Sequence, residues 1–334
     1  MTPARIDPMQ RIALTARPGY VVAARAVNLA GDALRLWVSE ATYDMVMGCG
    51  ADGARLPRLP SHTDAPYDAI VEWSGAGGRS EVSLRGLQTV FPLLTQISRG
   101  GVLVASSRCR FAGERTLANA QAFDADGRAM AALVLGDGIA HVQADEQGLV
   151  WVGYFDEGVY GNLGWGDGTL AATPMGASGL VCFDEQGPRR WAYEAPDDAD
   201  AIDDCYALNV APGVVWTHYY SSFPFVQIRY QAALPGAAPI AFGTNAWCTN
   251  AEADAPRLGG PFATDGRIAL MHLGGAAGAR LVAKGHIMAP HQQVTFAGVD
   301  GEVRLAVGRG STLHLLTDDA MHAYSLYQQP PDAP

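Results

Sequence analysis

Three observations in this chain of 334 residues predict an all-β fold, a six-bladed β-propeller of four-stranded antiparallel blades. Short alternating strands separated by Gly, Asp and Pro turns run throughout, and no long stretch keeps a helical period. A hairpin unit recurs along the chain. The spacing of that unit divides the length into six with nothing left over.

The strands come first. Tyr20–Asn28, Leu34–Glu40, Val102–Arg108, Gly148–Tyr154, Val214–Tyr220 and Arg267–Leu273 are short, β-rich and bounded by turn residues. Many such strands at near-regular spacing make a sandwich, a barrel or a propeller. The repeat decides among them. DGIAHVQADEQGLVWVGYFD, from Asp137 to Asp156, is an apolar strand, an acidic Gly turn and a second strand ending in aromatics. GLVCFDEQGPRRWAYEAP, from Gly179, is a second hairpin of the same kind, and the two together make one blade. Looser copies begin at Val21, Leu93, Asp203, Pro261 and Val303.

The turn between the first two strands of each unit falls at Gly31, Gly101, Gly148, Gly213, Gly266 and Gly310. The steps are 70, 47, 65, 53 and 44 residues, and 55 remain from Gly310 round to Gly31. This gives a single domain with blades at 17–86, 87–136, 137–197, 198–243, 244–299 and 300–327. The last unit supplies only three strands. Residues 10–16, QRIALTA, fill the fourth place, closing the ring and removing two free sheet edges.

Composition bounds the function. With 49% hydrophobic and 17% charged residues, the chain buries a core and is not disordered. The net charge is −11 and Lys284 is the single lysine, so phosphate backbones and anionic lipid surfaces are repelled. No nucleic-acid or membrane partner is expected, and no apolar run approaches a membrane span. Five widely spaced cysteines without a CxxC pair suggest neither a disulfide framework nor a zinc site. Residues 1–10 do not read as a signal peptide, so a cytoplasmic location is expected. The Ala, Gly, Arg and Asp bias is that of a bacterium with a GC-rich genome.

The string DGIxxxxxDxxGxVWVG is carried by Asp137, Gly138, Ile139, Asp145, Gly148, Val150, Trp151, Val152 and Gly153. It resembles the repeat of the NHL-repeat, gluconolactonase-like and virginiamycin B lyase-like propellers. The match covers one blade well and the others loosely. The resemblance implies the architecture, which unrelated functions share. In the lactonase-like group it also implies a divalent ion held by Glu, Asn and Asp from several blades. Asp137 and Asp203 are available for such a set, but the Asn-Gly motif of that group is absent, as is a recognisable His, Glu, His set of the lyase.

In a propeller, the loops entering each first strand and those joining second to third strands reach one face, which usually carries the site. Three long loops belong there: 41–67, 157–179 and 244–260. Either they wall the channel mouth or they decorate a scaffold. Near that mouth, Asp137, Asp203 and Asp204 could hold Ca²⁺ or Mg²⁺. The plainer reading is that they cap turns. His141, His272 and Arg108 are candidate catalytic groups, His141 as a general base or as a bond to a neighbouring blade. The segment YFDEGVYGNLGWGDG sets Tyr154, Asp156, Glu157, Tyr160 and Trp165 together, and Tyr219 and Trp247 could complete an aromatic wall. Such a wall suits a sugar, an aromatic ring or a cation; equally, the segment could be a self-packed loop. No GxSxG, HExxH, Walker or GxGxxG motif with its structural context is present. The expected function is binding of a small molecule or a protein at the mouth, the alternative a metal-dependent hydrolase or lyase acting on a small cyclic or carbohydrate-like substrate.

Overall fold

A computed structural model describes residues 4–50, 59–166, 173–197, 199–221, 223–231, 240–247, 260–265, 268–272, 278–283 and 292–326. Strands arise where the period-two pattern predicts them, and they pair in chain order. The first set is Tyr20–Val27, Ala33–Ser39, Tyr67–Gly75 and Gly78–Leu87. The second is Pro92–Gln96, Val102–Ser106, Ala120–Phe123 and Ala129–Leu133. The third is Ile139–Ala144, Leu149–Tyr154, Leu180–Asp184 and Arg189–Ala192. The fourth is Asp204–Ala211, Val214–Tyr220, Phe225–Gln231 and Ile240–Trp247. The fifth is Phe262–Thr264, Ile268–His272, Gly278–Ala283 and Gln292–Phe296. The sixth has Leu305–Arg309, Thr312–Leu316 and Ala320–Ser325 from the C-terminal part.

Its fourth strand is Gln10–Ala13, antiparallel to Ala320–Ser325 with Gln10 opposite Ala323 and Ala13 opposite Ala320. Ala4–Ile6 adds a parallel strand outside Gln292–Phe296, which the sequence does not announce. The fourth and sixth sets touch through one parallel bridge, Asn209 to Gly308. Gly308 permits it, because a Cβ there would meet the Phe262 carbonyl oxygen at 1.7 Å.

The core lies between the sets. Leu34, Leu36 and Leu84 pack with Val102 and Phe123; Leu103 and Leu135 pack with Val152 and Phe183. Trp151 and Cys182 pack with Val215 and Ile228, and Trp216 and Phe225 with Phe262 and Met271. Leu270 and Phe296 meet Leu313 and Tyr324, and Leu316 and Met321 meet Val27 and Ala33. Each set is therefore covered on both faces. The innermost strands of the first, second, third, fourth and sixth sets, with Pro261 ahead of the fifth set's first strand, line one central cavity of about 370 Å³. Four-stranded antiparallel sheets stacked face to face around a shared channel make a β-propeller.

Polar side chains join the inner strands near their C-terminal ends. Thr95 Oγ1 accepts from Ala144 N at 3.1 Å. Gln143 Nε2 donates to Leu208 O, and Val210 N donates to Gln143 Oε1, both at 2.9 Å. Asn209 Nδ2 donates to Phe262 O and Gly310 O at 3.0 and 2.9 Å. Arg309 Nε donates to Val27 O at 2.8 Å, from the sixth set to the first.

Three expectations need correction. The loops at 41–67 and 157–179 are not wholly irregular: helices occupy Glu40–Val46 and Asp156–Tyr160. They are too short to show a sequence period, and burial of Val46 and Val159 fixes them. The loop at 244–260 starts later, because Thr244 to Trp247 pair with the Phe225–Gln231 strand. The turn glycines Gly31, Gly101, Gly148, Gly213 and Gly310 sit between first and second strands as expected, while Gly266 lies outside the described residues. Among the described residues, no helix is long and apolar enough to cross a membrane.

Candidate functional site

The loops that enter the first strands and those that join second to third strands meet on one face, and most of the expected site residues lie there. Two arrangements are built from them. The first is a buried ion-pair network. Arg108 follows the second strand of the second set, and its Nη2 donates to Asp137 Oδ2 at 2.8 Å. Its Nη1 donates to Glu157 Oε2. Cys109 N donates to Asp137 Oδ1 at 2.7 Å, and the guanidinium lies 5.5 Å from the Phe155 ring centroid. Gly138 lets the loop close on the Asp156–Tyr160 helix: its φ is +70° and a Cβ would meet Gly158 N at 2.2 Å. Burial pushes the Asp137 carboxyl up to about 6, against the bonds from Cys109 N, Arg108 and Gly138 that favour its charge. Burial also pushes the Cys109 thiol up to about 12.

The second arrangement is an acidic and aromatic rim on the third and fourth sets. Tyr160, 65% exposed, donates its hydroxyl to Asp203 Oδ1. Tyr206 lines the central cavity, 5.8 Å from Phe223 and 6.5 Å from Tyr220 between ring centroids. Tyr220 and Phe223 cross edge to face at 5.7 Å. Phe223 holds φ +56°, left-handed backbone that costs a bulky residue energy. Burial first, and the Asp156 charge second, raise the Asp204 carboxyl above its ordinary value. Among the described residues, Asp156, Asp203 and Asp204 form no ion pair with a base.

Several expected site residues are part of the packing instead. Tyr154 is fully buried and donates its hydroxyl to Leu135 O, so it belongs to the core between the second and third sets and not to a ligand surface. Tyr219 is equally buried, with its hydroxyl 2.8 Å from that of Tyr193 and 2.7 Å from Asp200 O. Trp165 is buried, donates to Cys109 O at 2.8 Å and packs on Phe111. Asp137 is spent on Arg108 and Cys109 N. Among the described residues, no three His, Cys, Asp or Glu side chains gather as metal ligands, so Asp137, Asp203 and Asp204 do not form one set.

His141 faces the cavity and bonds the backbone of Cys205 and Tyr206 in the next set; burial lowers its pKa. His272 is buried beside Phe296. Trp247 closes the outermost strand of the fourth set, opposite Phe225. A second cavity of about 360 Å³ is lined by Asp44, Cys49, His62 and Asp64.

No protein-family model and no curated protein sequence matches the chain. Solved structures resemble it at low identity. A catalytically inactive virginiamycin B lyase from Staphylococcus aureus, with quinupristin, is 9% identical over 95% of this chain and 99% of that one, TM-score 0.45. A 6-phosphogluconolactonase-like protein from Bacteroides fragilis is 12% identical over 78% of this chain and 74% of that one, TM-score 0.45. The β-propeller domain of Swd1 from Myceliophteria thermophila is 11% identical over 95% of this chain and 100% of that one, TM-score 0.43.

Sequence reasoning missed Tyr206 and Phe223. The period-two pattern could not place Tyr206, because a register shift between Cys205 and Ala207 interrupts the alternation there. Nothing local marked Phe223, whose place depends on the turn after Tyr220.

Proposed function

We propose that this chain is a six-bladed propeller, closed by residues 10–16, that binds a ligand bearing a cationic group at the mouth of its channel. The rim carries the reading: Tyr160, Tyr206, Tyr220 and Phe223 beside Asp156, Asp203 and Asp204, acids that no described base neutralises. Aromatic faces attract ammonium and guanidinium groups through the ring quadrupole, and unpaired carboxylates add long-range attraction. The ligand is a small amine or a basic side chain of a protein. A metal-dependent hydrolase or lyase would need ligands converging from several blades, and the best buried candidate, Asp137, already serves Arg108.

Calorimetric titration with tetramethylammonium and with arginine amide tests this. Both are expected to bind, and Tyr220→Ala and Asp204→Asn each to weaken binding about tenfold, the loss of one cation–π contact or one charge partner. Equal affinity in wild type and both variants would reject the rim.

A further inference from the structure

The central cavity has a charge opposite to that of the protein. The chain carries −11 overall, yet among the described residues no Asp or Glu lines the cavity, whereas Arg25, Arg304 and Arg309 do. Two of these have partners outside it. Arg25 and Arg304 share Asp318 at 2.7 and 3.0 Å, and Arg304 also meets Glu302 at 2.6 Å.

Arg309 is different. It is 7% exposed, and among the described residues its side chain makes one hydrogen bond, from Nε to Val27 O. Nη1 is buried with no partner, and among the described residues no carboxylate pairs with it. At the same level of the inner strands Thr95, Gln143 and Asn209 make the equivalent joins with neutral groups. Donating one bond to a carbonyl does not require a guanidinium. Burial lowers its pKa to about 9, which leaves it cationic at neutral pH. A buried charge is costly unless an opposite charge completes it.

We propose that the cavity is a binding site for a small organic carboxylate, whose anionic group pairs with the Arg309 guanidinium and whose apolar body lies against Leu93, Leu94, Leu208 and Val307. The volume of about 370 Å³ falls in the range of small-molecule sites and exceeds what a bare inorganic ion fills. The site lies inside the channel, and the inference does not rest on the cationic-ligand reading of the rim.

Thermal unfolding and calorimetry with sodium benzoate and sodium hexanoate, sodium chloride making up constant ionic strength, test it. At least one carboxylate is expected to raise Tm and to bind, and Arg309→Gln, which keeps a donor for Val27 O, to lose affinity tenfold or more. Ala140→Trp fills the cavity while leaving Arg309 in place, and is expected to abolish binding even if the Arg309 variant folds poorly. Tyr220→Ala is expected to bind the carboxylate as wild type does. Carboxylate binding unchanged in Arg309→Gln or in Ala140→Trp, no effect of either carboxylate on wild type, or an equal effect of chloride would each overturn the proposal.

Discussion

Leu14→Ala isolates the contribution of the N-terminal segment. Leu14 follows the Gln10–Ala13 strand, is 5% exposed, and sits among Val27, Ala33, Leu316 and Met321, where the last set meets the first. Truncating a buried Leu removes its transfer energy and leaves a cavity, together about 3 kcal/mol. For 334 residues at ~2.1 cal/mol/K each, the entropy of unfolding is about 0.7 kcal/mol/K, so Tm should fall by about 4 °C. Substitution is more telling than deletion here, because it leaves the ordering entropy of the segment almost unchanged. Met9→Ala, in the same segment but 47% exposed, is the control and should stay within about 0.5 kcal/mol. Guanidinium unfolding and calorimetry measure both. Equal stability of the two variants would mean that the segment does not hold the ring, and the closure argument would fail.

Other predictions address the same architecture. Deleting residues 1–16 should expose the Ala320–Ser325 edge and produce aggregation in light scattering; a monomeric, fully stable deletion speaks against closure. Asp137→Ala should cost about 3 kcal/mol, because it leaves the buried Arg108 with only the half-exposed Glu157 as a charge partner and Cys109 N without its acceptor, and the double variant with Arg108→Met should cost less than the sum; strict additivity would refute the pair. Burial, helped by the Arg309 charge, lowers the His314 pKa to about 4 from 6.5. The unfolded chain therefore takes up this proton first as pH falls. The stability is full above pH 6.5 and is lost down to about pH 4, by about 3 kcal/mol. His314→Gln should flatten that part of the stability profile, and an unchanged slope would exclude His314 as its source.

The architecture was legible because its causes are local. Period-two alternation and turn glycines such as Gly31, Gly148 and Gly310 act over a few residues, and their spacing along the chain carries the grouping of strands. The place of residues 10–16 followed from counting strands, which needs no coordinates. Side-chain roles were not legible to the same degree. In a lone sheet, alternation separates buried from exposed positions. Here each sheet is covered on both faces, so Tyr154, Trp165 and Tyr219 look like a binding surface in sequence and are packing in the structure. Arg309 shows the same limit from the other side. Its sequence neighbour Gly310 marks a turn, but whether a guanidinium meets a carboxylate depends on which strands pack around it. The chain determines its blades residue by residue; only their assembly around the channel decides which charges remain without a partner.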